Sequence, residues 1–569
     1  MQLLDSRRLT GPNILWDKPG AVIDVSFPLK DAGAVVEAWG RQARRILDAV
    51  GWRHEQTRVR TFPAGASLAL SAPVDVLYAA TEVNEWAWSA ALVDLSGTGE
   101  PDLEEGLFQL RPKIEAERNP GLLALREAAR KRGVAFLSDD QSVSVGLGAG
   151  SMEWPVTALP APEQVDWTRV RDIPVVLVTG TNGKTTTVRL VGAMVAETGK
   201  VTGLTTTDGV HVAGDLVSAG DYSGPEGART VLRDRRVETA VLETARGGIL
   251  RRGLAVRSAD AAIITNVADD HLGEFGIHDL HALAECKMVV GSVVKASGRL
   301  VLNAGDPTLV AAARSPAPIA WFGLDPRSRT LVEQVEAGGD ACLLEDGVLT
   351  LVRGGRREAV LPVTEAPATL GGAARHNVGN ALGAIAVGSA LGLPIVAMAS
   401  GLRKFRGSPA DNPGRGNRFD LGGVGVLVEF AHNPHSFRAL FETAAALPAA
   451  RRLILIGHAG DRTDEAIREL ARVAWESRPD RIVIKEMHEY LRGRAEGEIP
   501  ALIEEELRRL GAPPEAIGRA GSELEAVRQA LGWARPRDLL LLTIHAHREE
   551  VLDLLKRLQD RGWAPGQEL

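Results

Sequence analysis

Eight residues, Gly180-Thr181-Asn182-Gly183-Lys184-Thr185-Thr186-Thr187, follow directly on the apolar run Ile173-Pro174-Val175-Val176-Leu177-Val178 and have the chemistry to hold a phosphate chain. A strand that ends in glycines lets successive backbone N–H groups curl around phosphate oxygens, and the helix behind it turns its positive end to the same charge. In such a loop Lys184 reaches the β- and γ-phosphates and Thr185 offers its hydroxyl to Mg²⁺. The usual phosphate loop has an earlier glycine where this chain has Val178, so the general pattern fails and a shorter form remains. The competing reading is a Gly/Thr-rich turn that binds nothing. Against it stand the preceding strand and the following amphipathic helix, with Leu190, Val191, Met194 and Val195 on one side and an end near Gly199.

A second group of residues has matching chemistry. The strand Thr239-Ala240-Val241-Leu242-Glu243 ends in a carboxylate, at the end of a strand where α/β sheets present groups to ligands. Alone, Glu243 could equally cap the next turn; beside Lys184 and Thr185 it reads as a Mg²⁺ ligand. The next strand delivers Asn266-Val267-Ala268-Asp269-Asp270-His271-Leu272-Gly273, and Lys287 follows on a helical segment. A lone histidine is more often a hydrogen-bonded turn residue, and Mg²⁺ prefers oxygen.

The short Gly-Thr-Asn-Gly-Lys-Thr-Thr loop resembles that of the Mur ligases and folylpolyglutamate synthetases. Thr205–Gly209, Leu242–Arg251 and Asn266–Gly273 are similar to segments of the Mur-ligase-like half of the cyanophycin synthetases. These likenesses imply ATP and Mg²⁺ as cofactors, with His271 helping to hold a second Mg²⁺ near the acceptor carboxylate. They leave Lys287 as either a carbamylated, metal-organising lysine or an ordinary surface lysine. Arg375-His376-Asn377 resembles the family's adenine-side motif, which assigns His376 and Asn377 to the base. Asn412–Asn417 resembles the loop that brings an arginine onto the triphosphate, which would be Arg415. Glu429-Phe430-Ala431-His432 corresponds to a motif beginning Asp-Tyr-Ala-His; Glu429 can still accept from ribose hydroxyls, while Phe430 lacks the phenolic donor. By the same likeness His432, Asp461, Arg462, Lys485 and Arg492 line the amine-substrate pocket. The alternative for those charges is solvated helix starts and surface pairs.

The elements that must position these groups divide a chain of 569 residues into about three domains. A Gly/Pro/Ala-rich stretch between Gly146 and Asp166 reads as a linker, and Gly146–Gly150 within it as a loop. A second break falls at Gly407–Gly416. The expected fold class is α/β: an N-terminal α+β domain over 1–165, a central ATP-binding domain with a mainly parallel sheet over 166–410, and a Rossmann-like C-terminal domain over 411–569. Strands in the last are expected at 426–430, 453–457, 482–485 and 539–544. A net charge of −7 and a pI near 6.0 argue against nucleic acid or anionic membrane as partners. Two cysteines far apart, no apolar leader and no run of about 18 apolar residues point to a free-thiol, cytoplasmic protein.

The reading that follows is an ATP-dependent carboxylate–amine ligase acting through an acyl phosphate. Its amine would be an amino acid, with a basic one on an aspartyl carboxylate as first expectation. A non-catalytic nucleotide-binding regulator of a separate ATP-grasp partner and a mechanical or signalling ATPase are the alternatives. In the cyanophycin synthetases an ATP-grasp domain precedes the Mur-like part. The roughly 165 residues ahead of the phosphate loop are too few for both an N-domain and an ATP-grasp unit, and His54 is their only histidine. Trp86 and Trp88 are expected to serve packing or subunit contact, and a homo-oligomer is compatible with the sequence.

Overall fold

The computed structural model describes residues 1–270 and 272–569, and His271 lies outside the described residues. Residues 1–165 begin with an antiparallel sheet in the order Gln2–Leu9, Gly20–Ser26, Gly65–Ser71, Thr57–Phe62. Gly20–Ser26 alternates poorly because it is buried along almost all of its length, as a central strand is. The helices Ala32–Ala49 and Leu77–Ser96 share a core with the sheet. Asn84 stitches these layers together, accepting from Trp39 Nε1 at 3.0 Å and donating to Leu68 O at 2.9 Å. Trp88 is buried in the same core and Trp86 presses on Gly106 of the next helix, so both tryptophans pack within the domain.

The stretch expected as a linker holds structure of its own. Met152–Pro155 pairs with Ser142–Val145, which pairs with Phe136–Ser138, in a three-stranded sheet. Val143 and Val145 bury against Leu122 and Leu125 of the helix Pro120–Arg132, and Trp154 covers them. The Gly/Pro composition masks this strand because its apolar residues alternate over only four positions.

The central sheet has eleven strands. Val175–Thr179 lies at its middle between Thr239–Glu243 and Ala259–Ile264, parallel to both. The residues after all three strands therefore emerge on one edge, which gathers the phosphate loop, Glu243 and the Asn266 segment without further device. Parallel pairing continues outward through Val294–Asn303, Ile319–Gly323 and Ala341–Glu345. Both ends turn antiparallel: Thr202–Thr206 leads into Gly209–Val212 and Asp215–Ala219, and Ala341–Glu345 into Val348–Arg353 and Arg356–Pro362. One face is covered by Lys184–Ala196, Arg375–Ala390 and Ile395–Lys404; Pro225–Arg233 and Leu280–Ser292 cover the other.

The C-terminal sheet runs Asn417–Leu421, Val424–Glu429, Leu539–Thr543, Arg452–Ile456, Arg481–Lys485, Ile517–Ala520. Its first pair is antiparallel and the rest are parallel. The four expected strands are its interior. The two edge strands escaped the sequence reading because Arg418, Asp420 and Arg519 interrupt them, as charges on sheet edges commonly do. Among the described residues, no helix is long and apolar enough to cross a membrane, and both cysteines are buried free thiols.

Candidate active site

The loop after Val175–Thr179 is shaped by two glycines in left-handed backbone. Gly180 has φ +147° and Gly183 has φ +83°; a methyl group would sit 1.8 Å from Thr265 Oγ1 at the first and 2.4 Å from Asn380 Oδ1 at the second. Only glycine fits either position. The Asn266 segment braces the loop from below: Asn182 N donates to Asn266 Oδ1 at 2.9 Å, Asn266 Nδ2 returns to Asn182 O at 3.0 Å, and Thr265 Oγ1 donates to the same carbonyl at 2.6 Å. Thr181 Oγ1 donates to Ala268 O at 3.2 Å. Lys184 Nζ donates to Thr181 O at 3.0 Å, half-buried over the loop it serves.

Thr185 Oγ1 donates to Glu243 Oε2 at 2.8 Å and lies 3.3 Å from Thr207 Oγ1. Glu243 is buried, and its Oε1 has no hydrogen-bond partner. Burial pushes its carboxyl above the usual range, against the pull of the Lys184 and Arg415 cations. A buried carboxylate oxygen without a partner beside a threonine hydroxyl at a phosphate loop fits a divalent cation. Among the described residues no cluster of three or more His, Cys, Asp or Glu forms; Thr185 and Glu243 would offer such a cation one hydroxyl and one carboxylate. Glu243→Gln is expected to raise the half-saturating Mg²⁺ concentration for nucleotide binding by about tenfold, the size of one lost charged contact. A Mg²⁺ titration of binding checks it, and an unchanged midpoint would remove Glu243 from the metal site.

These residues open into one cavity of about 1540 Å³. Among its lining residues His376 carries a partnerless Nδ1 and approaches Glu429 Oε1 to 3.7 Å through Nε2. Asn377 is engaged at both ends of its amide, donating to Ala368 O at 3.0 Å and accepting from Asn380 at 3.0 Å. Arg415 lies over the Phe430 ring at 4.8 Å, so the position that lost a phenolic donor serves as a platform for the guanidinium. Lys287 lines the cavity from the helix Leu280–Ser292 and is 3 % exposed, which excludes the ordinary surface lysine. Burial, reinforced by the Lys184 cation, pulls its amine down to about 7.

Across the cleft a chain of charges joins the Asp270 segment to the C-terminal domain. Arg462 reaches Asp270 at 3.2 Å and Asp461 at 3.8 Å, and Asp461 also pairs with Arg492. Asp461, Arg492 and His432 line the cavity; His432 Nε2 stands 3.8 Å from Asp270. Lys485 does not join them. It is 1 % exposed beneath the sheet, where its ammonium pairs with Glu523 and donates to Thr543 O. Glu523 accepts from the backbone of His545, Ala546 and His547, and His545 Nε2 lies 3.0 Å from Ala431 O. Lys485 thus braces the loop carrying Phe430 and His432 from behind. Sequence could not show this, because a lysine at the end of an apolar strand reads as exposed by default. Lys485→Met is expected to cost about 3 kcal/mol of stability, the low end for a broken buried pair because three N–H donors still hold Glu523. Chemical denaturation measures it; a cost under about 1 kcal/mol would return Lys485 to a solvated role.

Sequence reasoning missed the residues that the N-terminal sheet contributes. Leu4, Asp5 and Phe62 line the same cavity. Arg60 donates to Gly276 O at 3.0 Å, and the Arg7 guanidinium lies 4.9 Å from the Phe275 ring. Phe275 itself sits at φ +51°, strained for a bulky side chain. Nothing local in these residues signals a site; only the fold brings them to it.

Known proteins resemble parts of this chain. Over 391 residues the chain is 38% identical to a cyanophycin synthetase from Trichormus variabilis, covering 68% of this chain and 43% of that protein. The chain thus spans less than half the length of that relative. It is 29% identical over 427 residues to a UDP-N-acetylmuramoyl-L-alanyl-D-glutamate--2,6-diaminopimelate ligase from Geobacter metallireducens, covering 68% of this chain and 80% of that one. Among solved structures, a pseudomurein peptide ligase type C from Methanothermus fervidus superposes with a TM-score of 0.47 at 17% identity, over 69% of this chain and 82% of that one. The Mur ligase middle domain matches residues 178–388 and the Mur ligase glutamate ligase domain matches 414–543. These two spans enclose the phosphate loop, Glu243, Lys287, His376 and Glu429 in order, and the chain belongs to the Mur ligase family.

Proposed function

We propose that the protein is an ATP-dependent carboxylate–amine ligase, working with Mg²⁺ in the cytoplasm, that joins an amino acid to an acidic acceptor. The observation that carries this reading is the single cavity that holds the phosphate loop, the half-satisfied Glu243 and the buried Lys287 on one side and the Asp461–Arg492 pair on the other. It has room for a nucleotide and two further reactants. An acceptor carboxylate oxygen attacks the γ-phosphorus, ADP leaves, and the mixed anhydride keeps its acyl carbon where an amine can displace phosphate. The loop N–H groups and Lys184 hold the β- and γ-oxygens, and Arg415 offsets the charge that grows between them. Thr185 and Glu243 would hold the metal, which supplies charge neutralisation across the phosphates. Lys287, whose amine is pulled down to about 7 and is therefore about half neutral at pH 7, can take up CO₂ as a carbamate with loss of one proton and so become an anionic ligand.

A second cavity of about 1270 Å³ runs between residues 1–165 and the central domain and shares Asp221, Ala245, Gly247 and Arg251 with the first. Among the described residues no carboxylate pairs with Arg229, Arg251 or Arg252, which line it; Arg229 donates to Thr10 Oγ1 at 3.2 Å. Carboxylates such as Asp139, Asp140 and Asp221 line the same cleft, so its charge does not select an acidic acceptor; an aspartyl or glutamyl peptide made by a separate backbone-forming enzyme is proposed from the likeness to the cyanophycin synthetases. Glu442, exposed on the wall of the first cavity, suits a cationic amine such as arginine. The test is a phosphate-release screen of amino acids against aspartyl and glutamyl peptides, with product masses. ADP formation that requires both a carboxylate and an amine supports the reading; release that ignores both across the whole screen would leave an ATPase or a regulator.

A further inference from the structure

The turn between Thr202–Thr206 and Gly209–Val212 carries Asp208, whose backbone is fixed by Thr206: its Oγ1 accepts from Asp208 N at 3.1 Å and from Gly209 N at 3.2 Å. The Asp208 side chain is 6 % exposed and meets three guanidiniums from three parts of the chain. Arg189, on the phosphate-loop helix, reaches it at 3.2 Å. Arg415, on the turn before the C-terminal sheet, spans both its oxygens at 3.2 Å. Arg548, which opens the last helix Arg548–Asp560, donates at 2.5 Å. Burial alone would raise this carboxyl, but the three cations hold it below the usual range.

One carboxylate facing three guanidiniums leaves an excess of two positive charges in a partly desolvated pocket. The excess lies beside the phosphate loop. Arg415 Nη2 donates to Thr207 Oγ1 at 2.9 Å, and Thr207 is 3.3 Å from Thr185. The turn that bears Arg415 is tied to the same helix, since Asn412 Nδ2 donates to Thr186 Oγ1 at 3.1 Å and Arg189 Nη1 to Asp411 O at 3.1 Å. Arg415 therefore has its stem anchored by the turn, its face set by Phe430 and its fork set by Asp208. A guanidinium so held loses little freedom when an anion arrives.

We infer that Asp208 is a positioning residue that aims Arg415 at the γ-phosphate and, through Arg548, makes that aim depend on docking of the C-terminal domain. The inference rests on the proposed reading of Arg415 as a triphosphate contact. It assigns Asp208 and Arg548 a role that neither the phosphate loop nor the metal site requires. Loss of the Asp208 charge should leave the three guanidiniums repelling one another, with Arg415 free to swing off its line. Ground-state contacts to the diphosphate, which the loop amides supply, should be untouched.

The experiment compares Mg²⁺-dependent affinities of the full chain for ADP and a non-hydrolysable ATP analogue, in Asp208→Asn, Arg415→Ala, the double variant and Arg548→Ala. Wild type is expected to prefer the triphosphate by about tenfold, one charge-assisted contact. Arg415→Ala should abolish the preference, Asp208→Asn should abolish it equally with ADP affinity within about twofold of wild type, and the double variant should lose nothing more, as coupled neighbours do. Arg548→Ala should lower the preference about threefold, because the carboxylate fork remains. Melting curves check each variant; if Asp208→Asn does not fold, Asp208→Glu keeps the charge but shifts the fork, and should reduce the preference with ADP affinity kept. Wild-type preference in the Asp208 variants, losses that multiply in the double variant, or a wild type that binds both nucleotides equally would overturn the inference. A failed substrate screen would instead remove the ligase reading and leave this nucleotide comparison to decide on Asp208.

Discussion

Lys184→Ala is expected to lower substrate-dependent ADP formation by about 10³-fold, the upper range for removing one preorganised donor from a developing oxyanion. The lysine is half-buried, and its ammonium donates to Thr181 O at 3.0 Å. Its loss should leave the melting temperature within a few degrees, since no core packing or buried ion pair goes with it. On the proposed reading the charge it brings would act where the β–γ bridge breaks, so the loss should fall on kcat more than on the KM for the acceptor. Lys184→Arg should recover little of the rate. A planar fork on a longer arm cannot replace a compact ammonium inside a loop that Thr265 and Asn380 already crowd at its two glycines. Initial-rate kinetics with the best pair from the substrate screen make the measurement. A loss confined to acceptor KM, or one smaller than about tenfold, would show that this lysine does not meet the reacting phosphate.

Lys287→Met is expected to lower the rate by about 10²- to 10³-fold and yet to make the protein more stable at neutral pH. The two effects share one cause. In the unfolded chain the amine holds its proton to about 10.5, and in the fold to about 7, because burial and then the Lys184 cation penalise the charge. Between these values the unfolded chain binds the extra proton, so the stability of the parent climbs as pH rises from 7 to 10.5 and is flat below 7. Methionine has a similar volume and no proton to lose, so the variant should melt higher than the parent at pH 7, with the difference closing toward pH 10. The rate loss would follow from the proposed role of the neutral amine as the precursor of a carbamate. Removing CO₂ from the buffer should slow the parent and restoring bicarbonate should recover it, with no response in the variant. A variant that is fully active, or destabilised equally across that pH range, would assign Lys287 to packing alone.

What could be read from the sequence was whatever local order dictates. The phosphate loop was legible because strand, glycines, lysine and helix are adjacent in the chain, and Glu243 because it ends an uninterrupted apolar strand. The interior strands of the C-terminal sheet were legible for the same reason. Lys485 was misplaced because burial of a charge depends on a partner, Glu523, that lies 38 residues further on. The Lys287 alternatives could not be separated for a similar reason: three turns of amphipathic helix do not reveal what lies across from them. Asp208 stood out in the sequence only as part of the family-like segment Thr205–Gly209, with no role of its own, because its partner Arg548 is 340 residues away. Helix and strand identity is a short-range property; the charge balance of a cleft is not.

The cavity walls belong to units with separate cores. Leu4 and Phe62 project from a sheet whose apolar contacts are with its own helices, whereas the phosphate loop, Glu243 and Lys287 hang from the central sheet with its own two cores. Leu137 and Leu147 of the first 165 residues belong to one of those central cores, but the strands that carry Leu4 and Phe62 meet the central domain through contacts such as Arg60 to Gly276, Thr10 to Arg252 and the Phe62 ring against His278. Substitutions around Leu4 and Phe62 could therefore reshape that wall of the cavity while the central cores, and the phosphate loop that hangs from them, stay in place. A lineage could exchange one acceptor for another by drift in residues 1–165 while the energy-coupling half stays fixed. On the proposed reading, what is activated and how it is activated could then change as nearly independent traits.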